Sequence, residues 1–375
     1  MNAAGSRIAP PASVLATLRV LIVHDWIVAW GGAERTVEQM LEVFPRADLV
    51  VGVVGEGRKN LNDITRRAST TWLGSIPSAR RHHRWFLPAY ALAFASVDTS
   101  RYDLIVSSSS AFAKSVRVPR GVPHLCYCHT PPRYLWDLRQ AYRARPTVAG
   151  GALRLAGPVL RAVDQAGARR VTRFIANSSY VADRIRRAYG RDAAVIYPPV
   201  TPKPTTKRDG PRSSTLLSLG RLVPYKRVDI AVQAATQAGL PLIVAGEGPE
   251  RARLEAMAGP TVRFVGEVSE MVAGELMATC RAMLFCADED FGITPLEANA
   301  QGMPVIAFGK GGARESLVDG VTGLFFDDAN PGSLLGAIAR ARAVNWDECA
   351  MHANAARFSP EHFRSQLTSE ALALL

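Results

Sequence analysis

One pattern governs what this chain can fold into: a short apolar run, a loop rich in Gly, Ser or Pro, then a helix, repeated along most of its length. Arg19–Val23 is such a run. It ends in His24-Asp25 and a loop holding Gly31 and Gly32, after which Val37, Met40, Leu41 and Phe44 recur at helical spacing. Tyr102–Val106 ends in Ser107–Ser110, and His124–Cys128 ends in His129-Thr-Pro-Pro132. Leu49 starts another run, Phe174–Asn177 leads into a basic helix from Val181 to Tyr189, and Val195–Tyr197 ends in Pro198-Pro199. Runs without polar alternation suit parallel strands covered on both faces.

Thr201 to Ser213, rich in Pro, Lys, Thr and Ser, interrupts the pattern and reads as a linker. The pattern then restarts. Thr215–Leu219 precedes Gly220-Arg221 and a helix from about Arg227 to Ala238. Pro241–Ala245, Val262–Val265, Ala282–Cys286, Pro304–Phe308 and Gly323–Phe326 follow, and Ser359-Pro360-Glu361 opens a terminal helix. Two such sets predict an α/β chain of two Rossmann-like doubly wound domains. The boundaries expected are a loose tail at 1–18, an N-terminal domain at 19–200, the linker at 201–213, a C-terminal domain at 214–355 and a final helix at 356–375. Ligands of such sheets sit beyond the carboxyl ends of the strands, so two facing domains share a cleft lined by these loops.

The bulk numbers agree. With 375 residues, more than one core is expected. The net charge is +12, and it is lopsided: residues 1–200 hold 28 Lys/Arg against 13 Asp/Glu. A basic half points to an anionic partner, whether nucleic acid, a membrane surface or a phosphorylated substrate. The five cysteines form no disulfide or zinc pattern, which fits a reducing compartment. No apolar run reaches the length of a membrane span, and the first residues lack the apolar segment of a signal peptide.

The chemistry-bearing candidates fall on the expected loops. Glu289 and Glu297 stand eight residues apart around Phe291, Gly292, Ile293 and Thr294. Thr294-Pro295-Leu296-Glu297 has the spacing of a capping box, a purely structural reading. The same helix start also presents free amides suited to a diphosphate, and flanking carboxylates accept hydrogen bonds from ribose or sugar hydroxyls. Asp288 and Asp290 form a weak metal-like pair. Arg221 and Lys226 follow a strand and can grip a departing diphosphate, or can be solvated loop cations. Gly31 and Gly32 allow close approach of a phosphate, or form a plain turn. His129 can donate to a sugar hydroxyl, or be structural. Arg80, Arg81 and Arg84 beside Trp85 and Phe86 suit an anionic membrane interface, or a charged helix packed on its own domain. No nucleic-acid-binding motif accompanies them.

Taken in order, Gly31-Gly32-Ala-Glu34, His129-Thr-Pro, Asn177-Ser178, Gly220-Arg221 with Lys226, Gly246-Glu-Gly-Pro249, Glu289-x7-Glu297, Gly302-x-Pro304-Val305 and Glu315 with Gly320-x-Thr-Gly323 resemble the retaining glycosyltransferases of family 4, of GT-B fold. The segments Cys126–Asp137 and Tyr102–Val116 are similar to bacterial mannosyltransferases that use GDP-mannose. The resemblance implies that Arg221 and Lys226 neutralise the donor diphosphate, Glu289 holds donor-sugar hydroxyls, residues 291–294 offer amides to the diphosphate and Glu297 holds the ribose diol. It implies that His129 contacts the donor sugar, that Gly31 and Gly32 shape the acceptor and phosphate side, and that no metal is obligatory. Expected partners are a nucleotide-sugar, a sugar or lipid-linked acceptor and an anionic membrane surface, with the protein peripheral on the cytoplasmic face of the inner membrane. Rival readings are a transferase using a UDP- or ADP-sugar with a soluble sugar acceptor, a basic nucleic-acid-binding protein, and a silent nucleotide-sugar sensor.

Overall fold

The structure, a computed structural model, describes residues 15–55, 63–137, 148–205, 208 and 210–375, with the backbone alone described for 63 and 148–155. Most of the expected N-terminal tail and part of the linker, residues 206, 207 and 209, lie outside the described residues. The chain divides into two compact units, one of residues 1–199 with 361–375, the other of residues 200–360.

Among the described residues, the first unit is built on a parallel sheet of β1 (Val20–His24), β2 (Asp48–Val51), β3 (Ala68–Thr70), β4 (Leu104–Ser109), β5 (His124–Cys128), β6 (Arg173–Ala176) and β7 (Ala193–Val195). Its strand order is β3-β2-β1-β4-β5-β6-β7, so the direction of winding reverses between β1 and β4. Successive residues of β1 enter different cores. Val20 and Ile22 join Leu104, Val106, Leu125 and Ile175 on one face, while Leu21 and Val23 join Ile105, Tyr90, Phe94 and Phe112 on the other. An all-apolar strand is stable only when both faces are covered in this way.

The terminal helix Pro360–Leu372 belongs to this first unit. Phe363, Leu367 and Ala371, at four-residue spacing, enter the core that holds Val20 and Ile22. The Phe363 ring meets Tyr127 edge-on at 5.6 Å, and Glu370 pairs with Arg173.

The second unit carries β8 (Leu216–Leu219), β9 (Leu242–Ala245), β10 (Val262–Gly266), β11 (Ala282–Phe285), β12 (Val305–Phe308) and β13 (Gly323–Phe326) in the parallel order β10-β9-β8-β11-β12-β13. Here the winding reverses between β8 and β11. Both units are doubly wound α/β domains, the architecture of the GT-B fold.

One local expectation needs correction. Ser107–Ser109 is not a closing loop but the end of β4, a central strand buried throughout. The hydroxyls of Ser107 and Ser108 are tolerated there because histidines at the neighbouring strands meet them, as described below. In the stretch 201–213, read as a linker, the basic residues that the structure describes, Lys203, Arg208 and Arg212, all have partners. Lys203 pairs with Glu270 at 3.2 Å, and Arg208 pairs with Glu348 at 2.8 Å. The Arg212 guanidinium donates to the carbonyls of Met277, Ala278, Cys280 and Gln301, the first two at the end of the helix Glu270–Thr279. Burial and the neighbouring Arg208 hold its pKa down to about 10.

Candidate active site

In the second unit, β8 and β11 are neighbours at the reversal of winding, the place where doubly wound sheets leave a crevice. The loop after β8 carries Arg221 and Lys226, and the loop after β11 carries Glu289. The two loops meet: the Lys226 ammonium pairs with the Glu289 carboxylate, and both side chains are mostly covered. Lys226 also lies 5.8 Å over the Phe285 ring at the end of β11. Arg221 is exposed and donates to the Tyr225 hydroxyl at 3.0 Å. Arg227, directly after Lys226, has φ 49° and begins the helix Val228–Ala238. It is the one non-glycine residue in the left-handed region among the described residues. A conformation costing about 1–2 kcal/mol thus sets the direction of the chain beside Lys226.

The Glu289 loop is backed from below. Gly312, after β12, donates its amide to the Glu289 carbonyl at 2.9 Å, and a Cβ on it would fall 2.2 Å from the Phe291 Cα. Only a glycine lets the two loops lie this close. Phe291 is buried and packs 5.5 Å from Phe358.

The helix that follows differs from the expectation. Thr294 is not its N-cap. The helix covers Ile293–Asn299 and is capped by Gly292 at φ 84°, so Thr294 is the second helical residue and Glu297 the fifth. The left-handed glycine turns the chain two residues before the capping-box spacing suggests. Glu297 instead finds a cation from the stretch 201–213: its Oε1 lies 3.1 Å from Lys203 Nζ, with both side chains almost fully buried.

In the first unit the strand ends at the winding reversal hold a second polar cluster. The Asp25 carboxylate, 1% exposed, accepts four backbone amides: Ser110 at 2.5 Å, Ala111 and Phe112 at 2.8 Å, and Ala113 at 2.7 Å. This fixes the turn after β4. His24, at the end of β1, brings Nδ1 within 3.0 Å of the Ser108 hydroxyl and 3.2 Å of the Ser108 carbonyl. The same hydroxyl lies 2.8 Å from Nε2 of His129, just past β5. Burial and the nearby His24 push the pKa of His129 down to about 3, so it is neutral. Burial also opposes charge on His24, but the Glu34 and Asp25 carboxylates outweigh it and raise its pKa.

Gly31 stands at the N-cap of the helix Gly32–Val43, and its amide already donates to the Glu34 carboxylate at 2.9 Å. The two glycines therefore open a capped helix beside His24. The basic segment divides. Arg80 turns inward to the Gly74 carbonyl at 2.5 Å, and Phe86 packs against the core of Tyr90 and Phe94. Arg81 and Arg84 are exposed, and Trp85 is 79% exposed, its ring stacked 4.8 Å from His82.

Sequence reasoning did not assign His24, Ser108, Asp25 or Lys203. The usable signal was four serines, Ser107–Ser110, directly after an apolar strand, polar atoms that a buried strand end must satisfy. Among the described residues, no group of three or more His, Cys, Asp or Glu is placed to hold a metal ion. No helix among them is long and apolar enough to cross a membrane.

Comparison with known proteins bears on both units. Residues 30–203 match the family model for Glycosyltransferase Family 4, and residues 205–357 match that for Glycosyl transferases group 1. The chain is 32% identical to the GDP-mannose-dependent alpha-(1-6)-phosphatidylinositol monomannoside mannosyltransferase of Mycobacterium tuberculosis, over 44% of this chain and 53% of that protein. It is 28% identical to the D-inositol 3-phosphate glycosyltransferase 2 of Catenulispora acidiphila, over 44% of this chain and 47% of that protein. The match thus spans about half the length of these relatives. Among solved structures, Anabaena HepE in complex with UDP and glucose superposes with a TM-score of 0.68 at 20% identity, covering 96% of this chain and all of that one. The lipopolysaccharide outer core galactosyltransferase WaaB gives 0.65 at 16% identity, covering 96% of this chain and all of that one. These structural likenesses show the fold. With the two family models side by side along the chain, it belongs to the family 4 glycosyltransferases of GT-B fold.

Proposed function

We propose that this chain transfers a hexose, mannose from GDP-mannose, to a hydroxyl of a lipid-linked or glycolipid acceptor of the cell envelope, with retention of anomeric configuration. One observation carries the reading. At the winding reversal of the second unit, the loops after β8 and β11 bring a cation and a carboxylate together as Lys226 and Glu289, with Arg221 on the first loop and Glu297 in the helix that follows the second. A donor of this kind needs cations for its diphosphate and carboxylates for its two polyols. Arg221 and Lys226 neutralise the diphosphate, the amides of residues 291–294 add to that, Glu289 takes sugar hydroxyls and Glu297 the ribose diol. His129 contacts the donor sugar near the reacting carbon, and Gly31 and Gly32 shape the acceptor side. The choice of GDP-mannose is supported by the mycobacterial relative, a GDP-mannose-dependent mannosyltransferase.

Retention follows from attack on the face that the diphosphate leaves. The departing phosphate oxygen takes the acceptor proton as the bond to the anomeric carbon breaks and the new glycosidic bond forms. Catalysis then consists of orientation and of stabilising charge on the diphosphate. Lys226 is the group closest to that task, because Glu289 already holds its ammonium in place. Lys226→Ala is therefore expected to lower transfer from GDP-mannose by about a hundredfold or more, measured as radiolabelled mannose moved to a lipid acceptor. Near-normal turnover by Lys226→Ala would remove the basis of this assignment.

The acceptor side is read from the surface. Trp85 at 79%, Leu92 at 70% and Trp72 at 46% exposure stand with exposed Arg81 and Arg84 in one segment of the basic half. Apolar groups that dip into a bilayer beside cations that meet anionic headgroups suit a protein peripheral on the inner membrane face.

A further inference from the structure

His129 matters to the reaction only if its ring presents the right nitrogen. Two hydrogen-bond constraints decide which nitrogen carries the proton. The Ser108 carbonyl can only accept, and it lies 3.2 Å from His24 Nδ1, so that nitrogen bears a hydrogen. The same Nδ1–H is 3.0 Å from the Ser108 hydroxyl oxygen, which must then act as acceptor toward His24. The hydroxyl hydrogen is left to donate elsewhere, and His129 Nε2 is 2.8 Å away. A nitrogen that accepts a hydrogen bond is unprotonated. The remaining ring proton of His129 therefore resides on Nδ1.

The other side of His24 completes the chain. Its Nε2 is buried without a hydrogen-bond partner and faces the Glu34 carboxylate at 4.0 Å. That carboxylate holds the Gly31 amide with its second oxygen. Ser108 is 0% and His24 3% exposed, so solvent does not compete for these groups. The charged groups around His24 are Glu34 and Asp25, and Asp25 is committed to the four amides of the turn after β4.

We propose that His24 and Ser108 are positioning residues for His129, holding it neutral and protonated on Nδ1, so that its ring offers one N–H donor of fixed direction. This rests on the reading of His129 as a contact to the donor sugar. Neither His24 nor Ser108 touches the substrate in this account. An imidazole free to exchange tautomers would spend part of its time with a lone pair where a sugar hydroxyl or ring oxygen needs a donor.

The test is nitrogen-15 NMR of the histidine rings in the full-length, ligand-free protein at pH 7.5, with His129 assigned through His129→Gln. The expected wild-type pattern is a protonated Nδ1 and an unprotonated, hydrogen-bonded Nε2. Ser108→Ala is expected to shift both ring nitrogens toward averaged values and to lower kcat about tenfold with little change in donor KM. Ser108→Thr, which keeps the hydroxyl, is expected to restore both. A wild-type His129 protonated on Nε2, or ring shifts that Ser108→Ala leaves unmoved, would overturn the proposal. The NMR result is read without substrate, so it stands apart from the donor assignment. Absent turnover with the expected ring pattern would count against the proposed function and not against the relay.

Discussion

Glu297 Oε1 lies 3.1 Å from Lys203 Nζ, and the two side chains are 9% and 11% exposed. The acid proposed to take the ribose diol is thus held by a cation from the segment that begins the second unit. Removing one partner of such a pair strands a buried charge, which costs about 3–5 kcal/mol. Lys203→Met is expected to destabilise the second unit by about 3 kcal/mol in urea unfolding and to weaken GDP binding. Glu270→Ala, which removes the half-exposed second partner of Lys203, is expected to cost less than about 1 kcal/mol. Lys203→Met within about 0.5 kcal/mol of wild type would show that the pair does not order Glu297.

A second prediction concerns acid. His124 is fully buried, its Nε2 2.8 Å from the Ser107 hydroxyl, and burial together with Lys114 pushes its pKa down to about 3. The unfolded chain takes up this proton near pH 6.5 and the folded chain does not. Stability from His124 is therefore complete above about pH 6.5 and falls as the pH drops toward 3, by about 1.4 kcal/mol per unit. His129, lowered for the same main reason, acts in the same window and direction. His24, whose pKa is raised, acts oppositely: its contribution is complete below about pH 6.5 and is lost as pH rises through its folded value. Chemical unfolding of wild type and His124→Gln from pH 7 to 4.5 should show a shallower acid slope in the variant. Parallel slopes would mean that His124 is charged in the folded protein.

The exposed Trp85 gives the membrane reading its own test. Wild-type protein is expected to sediment with vesicles containing anionic lipid and much less with neutral ones. Trp85→Ser combined with Arg84→Glu should reduce that binding severalfold while leaving the unfolding midpoint unchanged, since both side chains are exposed. Binding indifferent to lipid charge would remove the surface-anchoring idea.

What the sequence revealed and concealed follows from which interactions are local. The apolar runs at β1, β5, β9 and β12 were legible because burial on both faces leaves few polar positions, the histidines of β1 and β5 standing at the strand ends. The serine end of β4 was not, because the hydroxyls of Ser108 and Ser107 meet His24 and His124, residues 84 and 17 positions away. The edge strand β3, three residues with little apolar content, carried no signal. Glu289 and Lys226 were legible as chemistry but not as a pair. The capping-box spacing misplaced the start of the helix Ile293–Asn299, because the left-handed turn at Gly292 comes first. Lys203, read as part of a linker, reaches a partner 94 positions later. The buried pair of Lys114 with Asp164 at 2.5 Å is of the same kind, since nothing near either residue in sequence announces it.

The central claim is that the second unit holds a guanosine diphosphate-sugar through Arg221, Lys226, Glu289 and Glu297. Titration calorimetry of the full chain against GDP, UDP, ADP and their sugars tests it most directly. The account predicts that GDP and GDP-mannose bind with Kd of about 1–100 μM, at least tenfold tighter than the uridine and adenosine counterparts, and that Glu297→Gln weakens both. Tighter binding of a UDP- or ADP-sugar would contradict the donor assignment, and no heat with any of the nucleotides would contradict the account as a whole.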